Sequence, residues 1–229
     1  MGRPPTVHQV RDGFLAEIVS ATTLIQTVRA LPQQSNPNQN GGIHPKQTDQ
    51  VIGLAFMGMV AAWEEFLERV LVRYVAGAKT NTNYSPTPKV GKAKGIPHAY
   101  EILSQNPNFS PQKNFLKVTD VTWITKTADF LFTQHPFSCL TQKVSVLKHA
   151  SAIRNRIAHD SEKCKEDFKK TALHFLQPQN GQLVQGFGPG ALLRAPVRRD
   201  FDQVLIAQST SHFDAYADLF RQLASNIAP

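Results

Sequence analysis

Apolar side chains recur every three or four residues along most of the chain, which is the spacing of one face of an α-helix. The first such stretch predicts a helix from Val7 to Leu31, because Pro32 stops it. The second predicts a longer helix that runs to about Gly77 and forms the centre of the fold. Its apolar face consists of Ile52, Phe56, Met59, Trp63, Leu67, Val70 and Tyr74.

The same spacing continues in shorter segments and predicts a short helix over residues 97–105. Residues 113–134 are ambiguous, because their β-branched residues favour a strand although the apolar residues keep helical spacing. We interpret this segment as a helix whose apolar face is Phe115, Val118, Val121, Ile124 or Thr125, and Ala128. A further helix is expected to begin at Pro136 and to run to Ala158.

A break in the helical pattern is predicted near His159. Asp160 and Ser161 are residue types that cap a helix N-terminus, and Glu162 would lie in the first turn of a new helix ending at about Leu176. Such a bend would expose the histidine. Helical spacing returns over the last segment, residues 204–227.

Three stretches lack periodic apolar residues and are expected to be loops. Residues 33–45 are polar, and residues 78–97 are rich in proline, glycine and lysine. Residues 177–199 could form either a small hairpin or an irregular loop. Because strand and helix signals do not alternate, we predict an all-α fold.

The composition narrows the class of protein. A hydrophobic fraction of 41% and a charged fraction of 18% exclude a disordered, collagenous or fibrous chain. The net charge of +8 favours a polyanionic partner, and nucleic acid is the first candidate. Cys139 and Cys164 are too few for a disulfide framework, so we expect reduced thiols in a cytoplasmic protein. The longest uncharged apolar run, Val51–Trp63, is shorter than the roughly 20 residues that span a bilayer, so no membrane helix is expected.

The sharpest local feature is RNRIAHD at residues 154–160. Arg154 offers a planar fork of charged donors to phosphate oxygens, and His159 can take and return a proton near neutral pH. On an unbroken helix the two side chains lie about 140° apart, so they converge on one phosphate only if the helix ends between them or a second chain contributes. The alternative interpretation is structural, because basic side chains also stabilise the carbonyls and dipole at a helix C-terminus.

Residues 154–159 match the Arg-x4-His signature of the HEPN superfamily (higher eukaryotes and prokaryotes nucleotide-binding domain), in which asparagine often follows the arginine, as Asn155 does here. AAWEEFL at residues 61–67 resembles the early core helix of that superfamily, with Glu64 as its acidic residue. The resemblance implies a HEPN-like helical bundle with extra N- and C-terminal helices. Its segments are an N-terminal helix with a polar loop (1–45), the HEPN-like core (46–176), and a loop or small hairpin with a C-terminal helix packing on the core (177–229).

Many members of this superfamily are metal-independent endoribonucleases of toxin, antiphage or abortive-infection systems, and they dimerise to form a composite cleft. The resemblance implies that His159 acts as general base on the ribose 2′-hydroxyl or as acid on the leaving oxygen, and that Arg154 stabilises the phosphorane. The product would carry a 2′,3′-cyclic phosphate. Asn155 would orient the histidine or a phosphate oxygen, Arg156 would add a cationic contact, and Glu64 would support the site or be a surface acid.

The partners expected from the resemblance are RNA, a second copy of the chain and a neutralising or activating protein, without a cofactor or a membrane. Other members have lost activity and serve as binding or assembly modules. A non-catalytic RNA-binding, nucleotide-binding or assembly module of a defence complex is therefore the alternative function.

The basic loop also suggests a contact with RNA. Lys89, Lys92 and Lys94 lie in a stretch without acidic residues and could follow an RNA backbone, with Tyr84 free to stack on a base, although such loops are often only solvated. His135 and Cys139 have one spacing found in metal sites, but no second ligand pair accompanies them, so we predict no metal. Three further histidines lie on predicted helices, and they are His149, His174 and His212. We interpret each as an isolated residue whose ring nitrogens have hydrogen-bond partners.

Overall fold

The computed structural model describes residues 6–34 and 41–229, and these residues form helices and loops without a β-strand. The all-α prediction is therefore confirmed. A 3-10 helix, Pro136–Lys143, directly precedes α5. The α-helices are α1 (Val7–Ala30), α2 (Pro45–Val75), α3 (Ile96–Ser104), α4 (Val121–Leu131), α5 (Val144–Ala158), α6 (Glu162–Leu176), α7 (Pro189–Arg194), α8 (Gln203–Ala207) and α9 (His212–Ile227).

The chain forms two compact units, each assembled from separate stretches. Unit 1 contains the chain up to Ala16, Ala62–Ser145 and Phe220–Pro229. Unit 2 contains Glu17–Ala61 and Val146–Leu219. Helices α1, α2 and α9 each contribute residues to both units. The polar loop expected over 33–45 lies partly outside the described residues, at positions 35–40.

Aromatic rings form the centre of unit 1. Phe14 stacks on Phe66 with ring centroids 5.0 Å apart, and Trp63 stacks on Phe66 at 5.5 Å and on Phe220 at 5.1 Å. The hydroxyl of Tyr74, which is buried, donates a hydrogen bond of 2.7 Å to a carbonyl at the end of α9. Trp63 and Tyr74 lie on the apolar face predicted for the long helix, so the periodicity located this part of the core.

The start of α4 differs from the prediction. Asp120 caps this helix by accepting a hydrogen bond of 2.9 Å from the backbone N–H of Thr122, so residues 113–120 remain outside it. The helix interpretation is confirmed for Val121–Leu131 and wrong for the preceding residues. Phe115, which the periodicity placed on the apolar face, is 89% exposed.

Unit 2 is built around the first half of α2. The ring of Phe56 contacts the ring of Tyr216 edge-on at 5.2 Å, and the hydroxyl of Tyr216 donates to the carbonyl of Val146 at 3.1 Å. The break after α5 occurs where it was predicted, because Ser161 caps α6 by accepting a hydrogen bond from the N–H of Cys164 at 3.4 Å. His159 is exposed at this break, as predicted.

Two C-terminal segments of unit 2 differ from expectation. Within the segment 177–199, residues 177–188 are irregular and form no hairpin, but neither alternative included α7, which follows them. Helix α8 ends near Ser209, whose left-handed φ of 54° interrupts the pattern, and α9 starts afresh at His212. The interpretation of 204–227 as one helical pattern was therefore wrong at this break.

Helix α2 is longer and more apolar as a whole than the uncharged run Val51–Trp63 suggested. Among the described residues, it alone is long and apolar enough to cross a membrane, with a mean hydropathy of 1.3 over an 18-residue window. In this structure 44% of that window is buried inside the protein. A buried core helix passes the same test, so the property is weak evidence for a membrane span.

Candidate functional site

The motif lies at the C-terminal end of α5, in unit 2. The backbone N–H of His159 still donates a hydrogen bond of 2.9 Å to the carbonyl of Asn155, so the helical geometry continues up to the histidine. Helix α5 ends at Ala158, directly before His159. Up to that point helical geometry places the two side chains about 140° apart, so a contribution from a second chain is one of the two ways in which they could meet on one phosphate.

Arg154 is half-buried, as its place on the apolar stripe of α5 predicts. One terminal nitrogen of its guanidinium donates to the side-chain oxygen of Asn155 at 3.0 Å. Asn155 thus positions the arginine, whereas the sequence had suggested that it orients the histidine or a phosphate.

His159 is exposed just beyond the end of α5, and its ring makes no hydrogen bond to any described residue. Its backbone carbonyl accepts a hydrogen bond of 3.2 Å from Arg156, which also pairs with Asp160 at 3.0 Å. Arg156 therefore stabilises the helix end, which is what the structural interpretation of this basic segment requires. The imidazole, by contrast, is held by none of these contacts and is accessible to a ligand.

A cleft of about 380 Å³ adjoins the motif within unit 2. Arg156 and Ile157 of α5 form one side, and the start of α2 forms another. Lys46 and Arg156 supply positive charge to it. Its acid, Asp49, pairs with Arg194 at 3.0 Å, and burial raises the pKa of the Asp49 carboxyl while Arg194 opposes that rise. The remaining lining residues are Gln50, Gly53, Leu54, Gly186, Gly188, Pro189 and Gly190.

The segment that contains Gly188, Pro189 and Gly190 forms the third side of this cleft, and glycine is required where that segment meets α2. A Cβ added to Gly190 would lie 2.0 Å from the carbonyl oxygen of Asp49, which is shorter than any real contact of that kind. The backbones of α7 and α2 therefore touch here. These residues were not predicted as part of the site, and their one local signal in the sequence was the glycine-rich run at residues 186–190.

The predicted RNA-binding lysines lie in unit 1, as does the half-buried Glu64, whereas the motif lies in unit 2. The ammonium of Lys89 donates to the carbonyl of Asp129 at 2.6 Å. Lys92 and Lys94 are exposed. Tyr84 is half-buried and its ring packs edge-on against a core tyrosine at 6.2 Å, so the expectation that it stands free to stack on a base was wrong.

The helical histidines of unit 2 are not isolated, contrary to the interpretation from sequence. His149 and His174 stack with centroids 4.6 Å apart. His149 also bonds the hydroxyl of Thr171 at 3.0 Å, and His174 pairs with Asp200, which has a left-handed φ of 64°. Burial is the main cause that lowers the pKa of His149.

Residues 6–34 and 41–229 contain no group of three or more His, Cys, Asp or Glu side chains that could hold a metal ion. His135 bonds Asp129 at 2.8 Å, and burial raises the pKa of the Cys139 thiol to about 11. A thiol with that pKa is protonated at neutral pH and is a poor metal ligand.

Comparison of the chain with protein-family models, with curated proteins and with solved structures gives no match. The function is therefore inferred from the residues of this chain and from the geometry described above.

Proposed function

We propose that this protein is a metal-independent endoribonuclease in which Arg154 and His159 act on one phosphodiester. The observation that supports this most strongly is the exposed imidazole of His159, which makes no bond to a described residue and follows five positions after a guanidinium positioned by Asn155. A proton carrier and a fixed cation are the two groups that this chemistry needs. The basic composition and the cleft beside the motif fit a phosphate-bearing substrate.

In the proposed reaction, His159 removes the proton from a ribose 2′-hydroxyl, and the 2′ oxygen attacks the adjacent phosphorus. The bond from phosphorus to the 5′ oxygen breaks, and that oxygen takes a proton from water, while the hydroxide left behind accepts the proton that His159 removed. The guanidinium of Arg154 stabilises the charge that develops on the non-bridging oxygens. The products are a 2′,3′-cyclic phosphate and a 5′-hydroxyl end. Lys46 and Arg156 would hold the flanking backbone in the cleft.

The active form is proposed to be a homodimer with a composite site. Arg154 lies within α5 and His159 follows its last residue, where helical geometry would place the two side chains about 140° apart, so the arginine of one copy would serve the histidine of another. A complementation experiment tests this geometry. Arg154→Ala and His159→Ala proteins are each expected to be inactive, and mixing them after partial unfolding and refolding should restore cleavage. Mixed protein that stays inactive while forming dimers would contradict the composite site.

RNA that carries one 2′-deoxynucleotide tests the chemistry separately from binding. An attack by the 2′-hydroxyl cannot occur at the deoxy position, so cleavage there should stop while phosphate-driven binding is retained. Cleavage that continues at that position would exclude this reaction. Salt-dependent binding by a wild-type protein that cuts no RNA would instead support the alternative, a non-catalytic RNA-binding module.

The proposed cellular role is that of a toxin or abortive-infection effector, restrained or activated by another protein. Expression of the wild-type chain in bacteria should arrest growth, because a free endoribonuclease degrades cellular RNA. Expression of His159→Ala at the same level should be harmless. Lys169→Ala is a suitable control, since this lysine is exposed on α6 and is not part of the motif; it should arrest growth like the wild type.

A further inference from the structure

Unit 1 contains a second cavity that the proposed reaction does not use. It has a volume of about 420 Å³ and lies between the end of α3 and the start of α4. Its lining combines aromatic rings, carboxamides and one lysine, and no carboxylate is among these described residues. The lining residues are Leu103, Ser104, Gln105, Asn106, Phe109, Asn114, Phe115, Leu116, Lys117 and Trp123.

The most unusual member of this lining is Phe115. Its neighbours alternate, because Leu116 and Val118 are 6% exposed whereas Phe115 and Lys117 are exposed. The two buried residues anchor the loop, and the phenyl ring and the lysine are exposed on either side of Leu116. An aromatic ring that is 89% exposed is in unfavourable contact with water, and a ligand stacked on the ring would remove that contact.

The floor of the cavity is rigid. The ring of Phe109 lies nearly parallel to the ring of Tyr100, with centroids 5.5 Å apart and planes 10° apart. The hydroxyl of Tyr100 donates to Glu68 at 3.0 Å, and the backbone of Leu116 also bonds Glu68. The segments on both sides of the cavity are therefore fixed to α2 within unit 1. A rigid floor limits the ordering cost of binding a planar ligand.

The carboxamides around the cavity offer both donors and acceptors. Gln105 makes no side-chain hydrogen bond to a described residue. The oxygen of Asn106 accepts from the N–H of Asn108 at 2.9 Å, which leaves its amide nitrogen as a donor. The nitrogen of Asn114 donates to the carbonyl of Ser110 at 3.3 Å, which leaves its oxygen as an acceptor. Such a mixture suits the edge of a nucleobase.

From this combination we infer that the cavity of unit 1 is a nucleotide-binding subsite for single-stranded RNA. A base stacks on Phe115 beside Trp123, the carboxamides bond its edge, and Lys117 binds the adjoining phosphate. The subsite deepens the proposed function by giving the nuclease a place to hold unpaired RNA, and it rests on that function for its biological meaning. The sequence analysis assigned RNA contact to Lys89, Lys92 and Lys94 instead.

Tryptophan fluorescence provides a direct test. The chain has two tryptophans, and Trp63 is buried in the core whereas Trp123 lines the cavity. The probe is a single-stranded RNA decamer with a methyl group on every 2′ oxygen, which cannot be cleaved by 2′-hydroxyl attack. Binding of this probe to the wild-type protein should quench the fluorescence. A signal that the decamer leaves unchanged would overturn the subsite.

Substitutions then locate the binding. Phe115→Ala should weaken the affinity about 5- to 150-fold, which is the range for losing one stacked base, and Phe115→Tyr should restore it. Phe130→Ala is the matched control, since Phe130 is 71% exposed on α4 in the same unit and does not line the cavity. The affinity of this variant for the decamer should stay within about twofold of that of the wild type. Lys117→Ala should lower the slope of log affinity against log salt by about 0.7.

The outcomes separate the subsite from the nuclease. Equal affinity of Phe115→Ala and Phe130→Ala proteins would overturn the subsite, even if the wild type cuts RNA through His159. Loss of affinity in Phe115→Ala alone would support the subsite, even if the wild type cuts nothing. Because the probe cannot be cleaved, neither result depends on the catalytic step.

Discussion

The contact between α7 and the start of α2 predicts a strong effect of a single methyl group at Gly190. The new Cβ of Gly190→Ala would lie 2.0 Å from the carbonyl oxygen of Asp49, and its neighbours within 2.5 Å are also backbone atoms. No side-chain rotation can relieve this overlap. Real contacts of this kind essentially never fall under 3.0 Å, so the two backbones must separate by about 1 Å.

Overpacking of this kind costs about 1–3 kcal/mol of unfolding free energy. For a chain of this length, each 1 kcal/mol lowers the melting temperature by about 2–4 °C, so Gly190→Ala should melt about 2–12 °C below wild type. Thermal unfolding followed by circular dichroism measures the difference. RNA cleavage should fall as well, because α7 forms a side of the cleft.

Gly58→Ala is the matched control in the same unit. Gly58 is exposed in the interior of α2, and a Cβ there meets no atom within 4 Å. Removing the backbone freedom of a helical glycine stabilises by about 0.5–1 kcal/mol, so this variant should melt slightly above wild type. The reasoning is refuted if Gly190→Ala melts at or above the wild-type temperature.

Three further predictions concern protonation, capping and catalysis. Burial lowers the pKa of His149 and of His212, so below about pH 6.5 the unfolded chain binds more protons than the folded chain. The urea midpoint of unfolding should therefore fall as the pH decreases from about 6.5, and it should fall less steeply in His149→Gln. Equal dependence on pH in the two proteins would contradict this reasoning. Asp120→Ala removes the side chain that accepts the N–H of Thr122 and should lower the unfolding free energy, measured by urea titration, by about 0.5–2 kcal/mol. Asp120→Asn keeps an acceptor oxygen and should lower it by much less. Equal losses in the two variants would argue against this helix cap. Arg154→Lys keeps a positive charge at this position but lacks the planar fork of the guanidinium, so the cleavage rate should fall more than about tenfold. An unchanged rate in kinetic assays would count against the role proposed for Arg154 in stabilising the phosphorane.

The core of the fold could be predicted because its signal is local. Residues such as Trp63 and Tyr74 recur at helical spacing along α2, and helical spacing by itself places them on one buried face. The cap at Ser161 was equally visible, since a capping residue precedes its helix directly. Phe115 was misplaced because α4 begins only after its N-cap at Asp120, whereas the apolar spacing alone starts the helix before Phe115.

The candidate site could be predicted only along one helix. Arg154 and His159 are neighbours in sequence, so a short motif revealed them. The contact between Asp49 and Gly190 joins residues far apart in the chain, and the stacking of His149 on His174 joins two helices. Such pairs are set by tertiary packing, which a single sequence does not display.

Cleavage of a labelled RNA pool by purified protein in excess chelator tests the endoribonuclease most directly. The wild type is compared with His159→Ala, and the chemistry of the product ends is mapped. The expected result is cleavage that gives 2′,3′-cyclic phosphate ends in the wild type and disappears in the variant. Cleavage that survives in His159→Ala, or a folded, dimeric wild type that binds RNA without cutting it, would contradict the proposed function.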